Sequence, residues 1–157
     1  MNTSEFDDIR PYYDAEISSA MSRIARSDVF PVLASWIFPG RDLEDVRRMV
    51  LSFKTIKEFQ FGVMIPVNRQ IIERSITELT FRGFEKLNPD MQYLFVSNHR
   101  DIMLDASLLQ YLFAQRERDT TEITFGANLM TKGLITDIGK SNKMFRVERG
   151  GKLKDFY

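Results

Sequence analysis

Tyr93-Leu94-Phe95-Val96-Ser97-Asn98-His99-Arg100-Asp101-Ile102-Met103-Leu104-Asp105 runs from an apolar segment through a polar one into the start of an apolar repeat. Its first four residues are a short apolar run following the turn residues Asn88-Pro89-Asp90, the pattern of a buried strand. From Leu104 the spacing becomes helical through Leu108, Leu109 and Leu112, so Leu104 to Phe113 is expected to be a helix. The residues between form a loop at a strand-to-helix junction, where side chains can be presented above a sheet edge. Further on, Glu122 to Phe125 and Met144 to Val147 have the composition of two more short strands.

From the N-terminal end to about Leu79 the spacing is mainly helical, after which Thr80 to Leu87 mixes aromatic and polar residues around Gly83. Ile17, Met21 and Ile24 make one apolar stripe, and Leu43, Val46, Val50 and Phe53 a second. Asp42 is the expected N-cap of the second helix, with Glu44 and Asp45 in its first turn, and Pro39-Gly40 marks the turn before it. Ile72, Ile76 and Leu79 make a third stripe, with Pro66 at the helix start. Phe30, Trp36, Ile37 and Phe38 lie between the first two helices. They can pack on neighbouring helices or rest on a membrane surface, where aromatic rings are favoured. The order, helices first and then strand, helix, strand, strand, predicts an α/β layer (α+β overall) preceded by a helical region. The expected division is residues 1–78 for the helical region and 79–157 for the α/β part.

Composition narrows the chemistry. The 157 residues include no cysteine, which excludes disulfides, thiolate metal sites and a cysteine nucleophile. There is no G-x-S-x-G elbow, and one histidine among scattered carboxylates is not a recognisable zinc set, so no metal is expected. The longest apolar run, Val29 to Phe38, is half of what a spanning helix needs and contains Pro31. With no secretory pattern either, the chain reads as cytoplasmic. Net charge is zero, yet Met130 to Tyr157 is basic, which suits an anionic ligand or a phospholipid headgroup, or a solvated face.

His99 is the single histidine. An imidazole can accept a proton near neutral pH, and a carboxylate beside it can fix its tautomer; Asp101 and Asp105 are the local candidates. The alternative is a loop whose Ser-Asn-His turn only caps the next helix.

Three blocks in order give a resemblance. Asn98-His99 followed by Asp105 resembles the N-H-x-x-x-x-D motif of the glycerol-phosphate and lysophosphatidate acyltransferases, here with five residues between His99 and Asp105 instead of four. Phe81 to Leu87 (FRGFEKL) is similar to the family's V-x-G-x-E-x-L strand, and Gly139 to Arg149 (GKSNKMFRVER) to its second block. Phe6 to Tyr13 also resembles the start of bacterial members with a helical N-terminal region.

The resemblance implies an O-acyltransferase of phospholipid biosynthesis, carrying a fatty acyl group from acyl-CoA or acyl-acyl carrier protein to glycerol 3-phosphate or lysophosphatidate. It implies His99 as base, Asp105 as its orienting carboxylate with Asp101 as the substitute, and Arg149, then Arg146, Lys143 and Arg100, for the substrate phosphate in the same cleft. No cofactor and no nucleic acid are implied; a membrane surface is, at the inner face. The family's later P-E-G-x-x-R and proline-rich blocks do not occur before Tyr157, so the chain is expected to be an incomplete portion of low or no activity. The rival from another class is a non-catalytic docking or membrane-surface module retaining part of this fold.

Overall fold

The computed structural model describes residues 6–98, 100–101, 104–130 and 133–148. It is a mixed fold in which helices dominate, as the α/β reading expects. The helices are α1 (Asp14–Ala25), α2 (Phe30–Ile37), α3 (Leu43–Ser52), α4 (Ile56–Phe59), α5 (Ile65–Ser75), α6 (Leu104–Ala114) and α7 (Leu134–Ser141). The strands β1 (Ile123–Gly126) and β2 (Met144–Val147) pair in parallel, Ile123 against Met144 through Gly126 against Val147, with α7 in the crossover.

The helical stripes make the core. Ile17, Ala20, Met21 and Ile24 of α1 meet Val46 and Val50 of α3 and Phe30 and Ala34 of α2. Asp42 caps α3 as its sequence predicts, accepting from the N–H groups of Glu44 at 2.9 Å and Asp45 at 3.0 Å. Phe53 stays buried but falls outside the helix, at an extended C-cap. Thr55 and Glu58 form a reciprocal capping box that starts α4.

Between α4 and α5 runs a five-residue π segment, Gln60–Met64, closed by the Ile65 N–H donating to Gln60 O. Pro66 explains its position. Proline lacks an N–H and its ring clashes with the carbonyl four residues back, and a wider turn before it relieves that conflict. The third stripe is shorter than its spacing suggests: α5 ends at Ser75, Ile76 is an extended C-cap, and Leu79 lies beyond. Ser75, Ile76 and Thr77 are weak helix formers in succession, and the Ser75 hydroxyl donates back to Ile71 O instead of extending the helix.

Two expected strands are absent. Residues 92–98 form no ladder, and the side chains of Leu94 and Val96 are 90% and 87% exposed. Tyr93 and Phe95 between them are also exposed, though less so, and the Phe95 ring lies 5.6 Å from that of Phe113. A strand is defined by its neighbour, and the described residues provide none alongside; apolar composition selects a segment for burial without supplying a partner. Phe81 to Leu87 is likewise not a strand. Gly83, at φ +94°, opens a 3-10 turn over Phe84–Lys86, and the Arg116 guanidinium stacks 4.1 Å from the Phe81 ring and 4.4 Å from the Phe84 ring.

α6 matches its expected span, but its buried face differs. Gln110, Phe113 and Ala114 are buried, whereas Leu104, Leu108, Leu109 and Leu112 are only partly covered. Backbone acceptors draw Gln110 in: its Nε2 donates to Thr121 O at 2.9 Å and Asn142 O at 3.3 Å. Gln60 of the π segment joins this hub, accepting from Thr120 Oγ1 at 2.8 Å and donating to Asn142 Oδ1 at 3.1 Å.

A second polar link joins α1 to α7. Arg23 donates to both carboxylate oxygens of Asp137, from Nε at 2.9 Å and Nη2 at 2.6 Å, and the Tyr12 hydroxyl donates to Asp137 Oδ1 at 2.7 Å. Burial, reinforced by that bond, pushes the Tyr12 phenol up to about 12. Burial also pushes the Glu16 carboxyl up, but bonds from Arg10 at 2.7 Å and the Tyr13 N–H at 2.7 Å outweigh it and hold it below the usual carboxylate range.

Two outcomes follow from these contacts. A Cβ on Gly62 would overlap the Phe53 ring, so Gly62→Ala should destabilise the fold by about 1–3 kcal/mol in urea denaturation, and Phe53→Leu should recover part of that loss in the double variant. In a pH series of melting temperatures, the Glu16 contribution is full above the ordinary carboxyl value of 4.5 and is lost as pH falls through its lowered folded value. The Tyr12 contribution is full below 10 and is lost as pH rises towards 12. Glu16→Gln should flatten the acid limb and Tyr12→Phe the alkaline one.

Candidate active site

The loop between residue 98 and α6 is held by two aspartates of different function. Asp101 Oδ1 accepts from the Leu104 N–H at 2.8 Å, as a capping side chain at a helix start does. Asp105, in the first turn of α6, reaches back: its Oδ2 accepts from the N–H groups of Arg100 at 2.7 Å and Asp101 at 3.0 Å. The two carboxylates therefore bind the loop from opposite directions, and negative charge in the first turn suits the helix dipole. Arg100 is exposed, so its guanidinium stands at the surface of this same loop. His99 lies outside the described residues.

The basic candidates separate along β2. Lys143 precedes the strand at φ +59°, and its Nζ donates to Thr120 O at 3.1 Å. It borders a cleft with Arg10, Tyr12, Tyr13 and Glu122. Arg146 lies within β2, paired with Glu148, and the two line a cleft with Ala127 and Asn128 where the parallel strands end. Lys143 and Glu148 are thus a strand's length apart, roughly 16 Å at ~3.3 Å per residue. Arg149 lies outside the described residues.

Lys140, part of the same basic stretch, is buried and donates to Asp7 O at 2.8 Å; burial pulls its ammonium below the usual lysine value. Sequence reasoning counted it among the cations of a basic stretch, whereas it holds the N-terminal segment in place. Tyr12 N also donates to Lys140 O at 3.1 Å. A lysine four residues before a strand gives no sign of this in the sequence. The described residues contain no group of three or more His, Asp or Glu side chains able to hold a metal ion. None of their helices is long and apolar enough to cross a membrane.

Asp105→Ala releases the Arg100 and Asp101 amides and should cost about 1–2 kcal/mol of stability. Hydrogen exchange should show it locally, with these two amides exchanging faster while those of α1 and α3 are unchanged. Equal protection in the variant would mean that Asp105 does not hold the loop.

No curated protein and no solved structure matches the chain. A family model does. It is described as Acyltransferase and matches residues 78–156, half of the chain, spanning the loop, α6, β1, α7 and β2. The protein belongs to the acyltransferase family.

Proposed function

We propose that this acyltransferase acts on glycerolipids, moving a fatty acyl group from acyl-CoA or acyl-acyl carrier protein to a hydroxyl of glycerol 3-phosphate or lysophosphatidate. His99 takes the hydroxyl proton as the oxygen attacks the thioester carbonyl. The C–O bond forms, the C–S bond breaks, and the imidazolium returns the proton to the departing thiolate. Asp105 stabilises the imidazolium and sets its tautomer, as a carboxylate does for other base–carboxylate pairs. The observation that carries this reading is the loop itself. Asp105 grips the amides of Arg100 and Asp101, the two residues that follow His99 in the chain, which supports its assignment as the carboxylate of this motif.

The acceptor's phosphate requires arginine forks or lysine point charges. Arg100 shares the loop, and Arg149 closes the second motif block; these two are assigned the phosphate first. Arg146 would have to release Glu148 to take part, and Lys143 would have to turn from Thr120 O. Asp105, one position beyond the family spacing, is the second residue of α6.

Purified protein given a long-chain acyl thioester with glycerol 3-phosphate or lysophosphatidate should form acylated product, at the low turnover expected of this stretch. His99→Ala should lower turnover by ~100-fold to ~10,000-fold with little change in melting temperature. Arg100→Ala should raise KM for the phosphate acceptor more than it lowers kcat. Turnover unaffected by His99→Ala, or confined to acceptors without a phosphate, would sink this assignment.

A further inference from the structure

α6 is buried unevenly. Gln110, Phe113 and Ala114 lie in the interior, whereas every residue from Leu104 to Leu109 is only half-buried. The half of the helix that carries Asp105 therefore has little apolar packing to set its rotation, and apolar contact is in any case non-directional. A side chain from another helix supplies the direction. Asn68 of α5, 4% exposed, donates from Nδ2 to Ser107 O at 3.1 Å, two residues beyond Asp105 in the chain. Three residues further on, Gln110 donates to Thr121 O and Asn142 O. Two directed bonds roughly 4.5 Å apart along the axis fix both the rotation and the height of α6.

The π segment is what turns Asn68 towards α6. In an unbroken α-helix two residues eight apart point about 80° away from each other, at about 100° per residue. The segment Gln60–Met64 takes up one extra residue in a turn, so Gln60 and Asn68 stand as residues seven apart would, within about 20° of one another. Both are buried on that shared face, and both reach across to the stretch that matches the family: Gln60 to Thr120 and Asn142, Asn68 to Ser107. Asparagine is a weak helix former and is mostly exposed, so a buried one inside α5 is explained by the acceptor it meets.

We infer that Asn68 is a positioning residue for acyl transfer: through Ser107 O it sets the rotation of the first turns of α6, and so the direction in which the Asp105 carboxylate meets the Arg100 and Asp101 amides. A leucine of similar volume would pack between α5 and α6 equally well. Only the amide gives that packing a direction. The inference rests on the reading of this loop as the place of catalysis, and it adds a residue that lies outside both the motif and the family stretch.

Asn68→Leu in the full chain keeps the volume and removes the donor. Hydrogen exchange should show the Arg100 and Asp101 amides exchanging about tenfold faster, with those of α1 and α3 unchanged. In the acyl-transfer assay kcat should fall about tenfold while KM for both substrates stays nearly constant. Val50→Ala, in the core between α1 and α3, is the control for stability alone: its melting temperature should fall while kcat and the exchange of the two loop amides stay as they are. Asn68→Ala, which removes the donor by truncation, gives the same reading should the leucine variant fail to fold. Unchanged exchange of the Arg100 and Asp101 amides, or a loss of kcat that Val50→Ala reproduces, overturns the inference. Faster exchange of these amides in a protein that transfers no acyl group supports the positioning and overturns the substrate reading instead, so the two failures are told apart.

Discussion

One buried side-chain amide ties the helical part of this fold to the part that carries the strands. Gln60 leaves the helix through the π segment that precedes Pro66 and enters the space between α6, the lead-in to β1 and the end of α7. There it both donates and accepts, and Asn142 and Gln110 continue the chain of bonds to the backbone of Thr121 and of Asn142 itself. Leaving one such group buried without its partner costs about 1–3 kcal/mol, a large share of the stability of a small domain. The hub fixes the relative rotation of elements that apolar contact alone would let slide, because a hydrogen bond has a direction and a methyl contact has none.

That hub also separates what the sequence discloses from what it hides. α1 and α3 could be read residue by residue, since Ile17, Met21, Val46 and Val50 recur at the spacing of a single buried stripe and Asp42 is a capping residue in position. The spans of α6 and β2 were equally legible. Gln60, Gln110 and Asn142 were not: a glutamine inside a helix normally reads as surface, and only the assembled fold shows the acceptors that draw it inward. Asp137 and Lys140 escaped notice for the same reason, their partners Arg23 and Asp7 being more than a hundred residues away in the chain. Tyr93 to Val96 failed in the opposite direction, because composition can mark a segment as strand-like but pairing is a property of two segments.

At the candidate site the motif was visible before the geometry. The His-to-Asp spacing identified the two aspartates as the groups to consider, but it assigned them to the imidazole alone. In the fold both carboxylates bind backbone N–H groups, one at the start of α6 and one back across the loop. The same acidic side chains can shape a loop and serve its chemistry. In such a loop, loss of activity on mutation does not by itself separate the two roles, whereas amide exchange does.

The long-range pairs Gln60 with Asn142 and Arg23 with Asp137 carry a meaning for inheritance. The stretch that matches the acyltransferase family starts at residue 78, yet each of these pairs takes one member from before it. The stretch that matches the family is therefore smaller than the unit that packs together. A recombination event that transplanted residues 78–156 onto a different N-terminal region would carry over Asn142 and Asp137 with their partners left behind. The preceding helices supply polar partners that this acyltransferase segment leaves open by itself.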